Sequence, residues 1–469
     1  MPIEHSFLDK ALQRQRAAHR AHAYASEAER RQDLLNLKAL VRDNAEVLAQ
    51  AISADYGHRS RHETLLADVL PVMHGVDHAL KHLKRWMKPQ RRSVDWMKFF
   101  GAKNRVLPQP LGVVGIIVPW NFPINLSCLV LVDVFAAGNR AMVKMSENSR
   151  HLTRALMDLM PRYFSPDKLI FFEETGGVGV AFSKLKFDHL VFTGSTETGK
   201  AVMAAAAPNL CPVTLELGGK SPAVVCEDFP LRTAAERILF AKCFNAGQIC
   251  TDVDHVYLPR HSIAAFVALA KEIVQKRYDT LDSPDFTAII DAKSFHRLVA
   301  ALQEAQAQGA TLVPLLPGLP WDERTRKIAP HLVLNLPPGC ALQTHEIFGP
   351  VLPVMGYTTL DEVVQSIHAA PRPLAFYPFS NNRQIIQDLV MRTMSGGVVV
   401  NDALLHAAQH SLPFGGVGES GMGHYHGHEG FVNFSKMRPI FYQARFNAVR
   451  LVWPPYRQRI ETYLKFLMK

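Results

Sequence analysis

The stretch LGVVGIIVPWNFPINLSCLVLVDVFAAGNRAMVK, Leu111–Lys144, decides the fold. "GVVGIIV" is a short, unbroken apolar run, the pattern of a strand buried on both faces. "LSCLVLVDVFAAGN" reads as a helix closed by Gly138-Asn139, and "AMVK" is strand-like again. Strand, helix and strand in so short a span call for a parallel sheet with both faces covered. The prolines and asparagines that break the stretch exclude a membrane span.

The rhythm continues outward. "SRHLTRALMDLMPRY" reads as a helix, and "KLIFFE" and "DHLVFTG" as strands, each followed by helical sequence. A second alternation begins near Leu217 with strand "PAVVC", helix "RTAAERILFAKCF", strand "HVYLP" and helix "IAAFVALAKEIVQKR". Residues 7–88 read as amphipathic helices, and "RSVDWMKFFGAKNRVLPQP" as a protruding hairpin or linker between Pro89 and Pro110. "EGFVNFSKMRPIFYQARF" reads as an edge strand. The final "PPYRQRIETYLKFLMK" puts Ile460, Tyr463, Leu464 and Leu467 on one helical face, packed on the body or near a partner subunit. The expected class is α/β with two Rossmann-like parallel-sheet domains. Residues 1–90 and 111–216 form the first and 217–412 the second, while 91–110 and 413–469 supply a small β oligomerisation element and the C-terminal segment.

Composition agrees: 469 residues exceed one ordinary core, and 48% hydrophobic with 20% charged residues is globular. The six cysteines lie far apart, with no CxxC pair and no zinc spacing, which fits a reducing compartment and no metal. "MPIEHSFLDK" has no apolar signal region, so a cytoplasmic location is expected. Net charge is +10, but the basic residues are scattered. The clump "KHLKRWMKPQRR" is expected to be a solvated helix end rather than a nucleic-acid or membrane surface. A positive field also steers anionic ligands.

Five short motifs could carry chemistry, each with a plain structural alternative. "VFTGSTETGK", Val191–Lys200, is a strand, a loop bounded by Gly194 and Gly199, and a helix start whose N–H groups suit phosphate; it is equally an ordinary strand–helix turn. "VKMSENS" puts Lys144 at a strand end and Glu147 three residues on, a pair able to hold a ribose. "PWNFP" fixes Asn121 between prolines, where its amide could donate to an oxyanion or cap a turn. "TLELGGKSP" places Glu216 at a strand end beside two glycines, as a general base or a surface carboxylate. "FNAGQIC" ends at Cys250, a buried small hydrophobe or a nucleophile.

In order, "PWNFP", "VKMSE", "FTGSTETG", "ELGGKSP", "FNAGQIC", "EIFGP" and "PFGGVGESGMGHYHG" make the chain resemble the aldehyde dehydrogenase superfamily over residues 105–440, with an ending like its dimeric, class 3-like branch. The resemblance implies the aldehyde dehydrogenase fold. It also implies NAD, or NADP, as acceptor, and an aldehyde substrate: an aromatic one such as coniferyl aldehyde, or a medium- to long-chain aliphatic one. It implies that Cys250 forms a thiohemiacetal and then a thioester. Asn121 and the Cys250 N–H would hold the oxyanion, and Glu216 would activate the hydrolytic water. Lys144 and Glu147 would contact the adenosine ribose, Ser195 the pyrophosphate and Glu346 the nicotinamide ribose. Phe348 and Trp120 would flank the cofactor, and a homodimer would form without stable membrane insertion. A thiol esterase or acyl-transfer enzyme is the alternative, but it has no use for a dinucleotide site. "KMSE" departs from the family's usual Lys-Pro-Ser/Ala-Glu. His255 stands where an aromatic is usual, and "FFEETGGVGVAF" lacks the proline many relatives carry.

Overall fold

A computed structural model describes residues 6–96, 99–447, 453–456 and 458–468. The Leu111–Lys144 stretch folds as read. Val113–Ile117 pairs in parallel with Arg140–Lys144 on one side and with His189–Thr193 on the other. The first sheet runs, by strand, 421–422, 213–216, 189–193, 113–117, 140–144 and 169–172. All neighbours are parallel except Gly421–Met422, which lies antiparallel to Val213–Glu216. Residues from the C-terminal segment thus form the edge of the first sheet. The chain runs from Val113–Ile117 to strands on one side, then crosses to strands on the other. That reversal leaves a crevice at the carboxyl ends of Val113–Ile117 and His189–Thr193, where α/β sheets bind ligands.

The second sheet runs 311–314, 331–334, 351–357, 255–259, 222–225, 375–379 and 397–398, parallel except at Thr311–Pro314. The two α/β sheets are those expected. A third, antiparallel sheet joins Gln90–Arg92, Lys103–Pro110 and Ser435–Tyr442, so the proline-bounded segment is a hairpin.

The N-terminal helices pack against the first sheet. Ser26 and Glu29 form a reciprocal capping box that starts the helix Glu27–Asp43. In Leu70–Trp86 the basic clump behaves as expected: Lys81, Lys84 and Arg85 are exposed while Leu83 and Trp86 are buried. Two readings need correction. The helix after "PWNFP" opens with a π-turn, Asn125–Leu129, where Ser127 Oγ donates back to the Pro123 carbonyl. "EGFVNFSKMRPIFYQARF" is strand only in its second half; Gly427–Asn433 is helical. There Gly430 lies against the Asp133 carboxylate, which a Cβ would meet at 2.0 Å, and Phe431 packs on Trp86. Tertiary contact overrides the strand-like composition. Gln458–Leu467 is a helix with Ile460 half-buried and Leu464 exposed, while the side chains of Tyr463 and Leu467 lie outside the described residues. Among the described residues no helix is long and apolar enough to cross a membrane.

Asn139, after the helix stop, ties the first sheet to the third. Its side chain accepts from Gly112 N at 2.9 Å and donates to Phe434 O at 2.8 Å. Asn139→Ala leaves both backbone groups buried and unpaired, at a cost of roughly 2–4 kcal/mol. The thermal unfolding midpoint should fall by several degrees; a shift within about one degree would remove Asn139 as a tie.

Candidate active site

Cys250 stands after a backbone turn that few residues tolerate. The helix Leu231–Cys243 ends, and Asn245, Ala246 and Gly247 follow with φ of 50°, 50° and 69°. Gly247 is required for space as well as for φ, since a Cβ there would sit 2.4 Å from the Gly349 carbonyl oxygen. Side chains hold the turn. Glu63 accepts the Asn245 N–H at 3.0 Å and the Thr287 hydroxyl at 2.6 Å. Gln248 donates to the Asn245 and Ala288 carbonyls, both at 3.0 Å, and accepts from Ile290 N at 3.0 Å. Burial pushes the Glu63 carboxyl up to about 7 against these hydrogen bonds.

Asn121 is brought to the same turn: its amide nitrogen donates to the Gln248 carbonyl at 3.3 Å, and a second amide hydrogen remains. Its main-chain oxygen accepts from Arg59 at 2.8 Å and Tyr56 at 3.2 Å. Arg59 in turn pairs with Asp68 at 3.1 Å, with both side chains fully buried. Asp68 accepts the N–H groups of Ile124 and Asn125, each at 3.0 Å. "PWNFP" is therefore clamped by polar residues of the N-terminal helices, which the sequence reading passed over as amphipathic pattern. The signal was present as the charged residues of "RSRHETLLAD".

Glu216 ends its strand, is 2% exposed, and has both carboxyl oxygens buried without a hydrogen-bond partner. Burial holds its carboxyl far above the usual range. Burial, with the Glu346 and Glu216 carboxyls nearby, pushes the Cys250 thiol up to about 12. Cys250 is partly exposed, unlike the five other cysteines, which are buried; all six are free. The structure thus assembles Cys250, Glu216 and Asn121, and adds Glu346 to the electrostatics of the thiol.

Glu346 lies over Gly218, where a Cβ would meet its Oε2 at 2.0 Å, and it accepts from Gly219 N. Gly218 is there to admit this side chain, while a Cβ at Gly219 would instead meet Pro373 and Leu374. Burial, then the charge of Asp254, pushes the Glu346 carboxyl up to about 8. Lys220 fixes the loop from below. Its Nζ is 2.5 Å from Asp254 and donates to the Leu342 and His345 carbonyls, while Asp254 accepts Ile347 N at 2.9 Å. His255 Nδ1 lies 3.3 Å from Asp254, which explains a polar ring at that position. Sequence reasoning missed Lys220 and Asp254.

Trp120 and Phe348 meet edge to face at 5.5 Å. Ser195 caps the helix Thr196–Ala206 by accepting Thr198 N at 3.3 Å, just after Gly194. Gly199 is buried against Leu217, where a Cβ would come within 2.6 Å, so it serves helix–strand packing. Lys144 is the last residue of its strand, and Glu147, exposed, follows three residues on. Lys144 does not stand free: its Nζ is 2.7 Å from Glu174.

An apolar cavity of about 280 Å³ reaches Cys250 and Thr251 between Leu66, Phe122, Phe240, Phe244, Leu405, Phe414, Tyr425 and His426. Of the aromatics expected around a substrate tunnel, Phe122, Phe244 and Tyr425 line it; Trp120 instead faces Phe348.

The family model described as "Aldehyde dehydrogenase family" matches residues 4–440. A Pseudomonas aeruginosa protein named "Probable coniferyl aldehyde dehydrogenase" is 48% identical over 455 residues, covering 97% of this chain and 94% of that one. A Staphylococcus aureus AldH, solved in a substrate-bound state, superposes with TM-score 0.92 at 31% identity, over 98% of this chain and 99% of that one. A Bacillus cereus aldehyde dehydrogenase solved as an NAD+ complex shares the fold, with TM-score 0.84 at 24% identity over 93% and 89% of the two chains. This chain belongs to the aldehyde dehydrogenase family.

Proposed function

We propose that this oxidoreductase converts an aromatic aldehyde of the coniferyl type, or an aliphatic aldehyde of similar girth, to its carboxylic acid, with NAD as acceptor and Cys250 as nucleophile. One observation carries the reading: a partly exposed thiol at the end of an apolar cavity, with an unpartnered buried carboxyl group and an amide donor beside it. The name of the Pseudomonas aeruginosa relative supports the aromatic substrate.

The residues present fit a dinucleotide. The crevice at the carboxyl ends of the first sheet is bounded by Lys144 and Glu147 at one end and by the N-terminus of Thr196–Ala206, with Gly194 and Ser195, in the middle. Trp120, Phe348 and Glu346 stand at the other, Glu346 in a cradle that a Cβ at Gly218 would fill. When bound, the nicotinamide supplies a hydride acceptor. The chain's own residues do the rest. Cys250 Sγ adds to the carbonyl carbon as its thiol proton passes to water in the cavity. The carbonyl oxygen takes negative charge, which the spare Asn121 amide hydrogen and the Cys250 N–H stabilise; one such donor is worth about 2.7–4 kcal/mol. After oxidation a thioester remains on Cys250, and Glu216, once it has given up the proton that burial favours, takes a proton from the attacking water.

The exposed edge of Ser435–Tyr442, with Phe441 and Tyr442 outward, supports a homodimer through the third sheet. Six free cysteines are in keeping with the cytoplasm.

The direct test is a rise in absorbance at 340 nm with NAD and an aldehyde panel led by coniferyl aldehyde; no reduction with any aldehyde would end the proposal. Two further outcomes follow from the electrostatics. With its thiol near 12, Cys250 in the cofactor-free protein should be alkylated by iodoacetamide about tenfold faster per pH unit from roughly pH 7 to 9. A plateau in that range, read by intact-protein mass spectrometry, would show a thiol already ionised. Glu216→Gln should give one rapid burst of NADH per site and an acyl adduct on Cys250. Turnover should then fall roughly 10²–10⁴-fold. A missing burst without adduct would instead make Glu216 the base for the thiol.

A further inference from the structure

The strand Arg140–Lys144 runs beside Leu169–Phe172 in register, with Lys144 opposite Phe172. The loops leaving both strands therefore share one end of the crevice. The second loop carries Glu174, two residues past Phe172. Its Oε2 lies 2.7 Å from Lys144 Nζ and accepts Gly179 N at 2.8 Å, while Oε1 accepts Gly176 N and Val178 N, both at 3.0 Å. The side chains are 8% and 14% exposed, so the pair is shielded from solvent screening. Although burial opposes it, Lys144 and the loop N–H groups hold the carboxyl below its ordinary value, and it is charged at neutral pH.

This changes the charge available to a nucleotide ribose. A free Lys144 beside Glu147 would offset one carboxylate and could receive a phosphate. Here its charge is already matched by Glu174, and Glu147, three residues further along the loop that leaves the same strand, brings a further carboxylate to this end of the crevice. A second candidate cation, Arg154 on the neighbouring helix, is itself 3.2 Å from Glu173. A 2′-hydroxyl can donate a hydrogen bond to a carboxylate; a 2′-phosphate has no proton to donate and meets repulsion.

Resting on the placement of the adenosine ribose at Lys144 and Glu147, we propose that Glu174 determines acceptor specificity. By occupying Lys144 and leaving the carboxylates of this end of the crevice without a free cation from that pair, it admits a nucleotide with a free 2′-hydroxyl and rejects one with a 2′-phosphate. Glu174 also caps the first turn of Val178–Ser183, so truncation would confuse charge with structure. Glu174→Gln keeps an acceptor oxygen and the side-chain volume, and removes the charge.

The test is equilibrium binding of NAD and NADP, followed by calorimetry on the cofactor-free protein. Wild type should bind NAD at least tenfold more tightly than NADP. Glu174→Gln should tighten NADP roughly tenfold or more, with NAD changed less than about threefold, since a close like charge is worth about that factor. The same variant should tighten adenosine 2′,5′-bisphosphate but not AMP, which localises the effect to the 2′ position. Unchanged NADP affinity in Glu174→Gln, or a wild-type preference for NADP, overturns the proposal and leaves Glu174 a loop cap. Lys144→Met separates the underlying reading: if it weakens neither nucleotide, the ribose is not at Lys144, and the placement of the cofactor fails along with the inference built on it.

Discussion

Non-glycine residues resist positive φ, at a cost of about 1–2 kcal/mol each, yet Asn245 and Ala246 both adopt it immediately before the Gly247–Cys250 loop. The turn persists because it is over-determined. Glu63 takes the Asn245 N–H, Gln248 spans from the turn to Ala288 and Ile290, and Asn121 donates to the Gln248 carbonyl. Because Asn121 is itself held by Arg59 and Tyr56, the Cys250 loop and the Asn121 amide share one set of supports. Those supports come from helices near residues 45–70, which belong to neither sheet. The N-terminal helices are therefore part of the frame that holds Cys250 and Asn121 as well as a cover for the first sheet.

The same enclosure governs charge. Cys250, Glu216 and Glu346 are three acidic groups in one poorly solvated space, and each is pushed toward its protonated form. Burial is the leading cause in every case, with mutual repulsion second for Cys250. Ionising any one of them raises the cost of ionising the next. A neutral thiol resists oxidation and alkylation. It also means that activation requires a change in the surroundings, since no lysine or histidine is hydrogen-bonded to Cys250 among the described residues. Positive charge placed near the three groups would favour release of one proton.

What could be read from the sequence divides along physical lines. Strand–helix alternation, the two sheets and the hairpin followed from local pattern, because apolar periodicity and turn chemistry are short-range signals, whereas the gathering of Cys250, Glu216 and Asn121 at one place was implied only by the resemblance to the aldehyde dehydrogenases. Gly218 could be read as an admitting glycine, but not that Glu346 is the side chain admitted, from more than a hundred residues away. Arg59, Glu63 and Asp68 stand in the sequence as charged residues that a helical pattern would leave in solvent, and Lys220 and Asp254 as loop residues; that Arg59 pairs with Asp68, Glu63 holds the Asn245 turn and Lys220 meets Asp254 is set by contacts far apart in the chain. Glu174 could be seen as an oddity of "FFEETGG", but its partner Lys144 sits on another strand. The helix Gly427–Asn433 was misread because its composition is strand-like and its geometry is set by contact with Asp133 and Trp86.

The short link Leu217–Ser221 shows how two separate sheets act as one site. It follows Glu216, the last residue of a first-sheet strand, and precedes Pro222, the first residue of a second-sheet strand. Gly218 admits Glu346, and Lys220 pairs with Asp254, which in turn holds the N–H of Ile347. A buried ion pair of this kind adds little net stability, since desolvation offsets much of its attraction. Its effect is positional: it fixes the loop carrying Glu346 and Phe348 against the point where the chain passes between sheets. Any rotation of one sheet relative to the other would shift Glu216 and Glu346 together, because the same few residues carry both. The crevice at the carboxyl ends of the first sheet and the cavity reaching Cys250 are thereby tied to one short link.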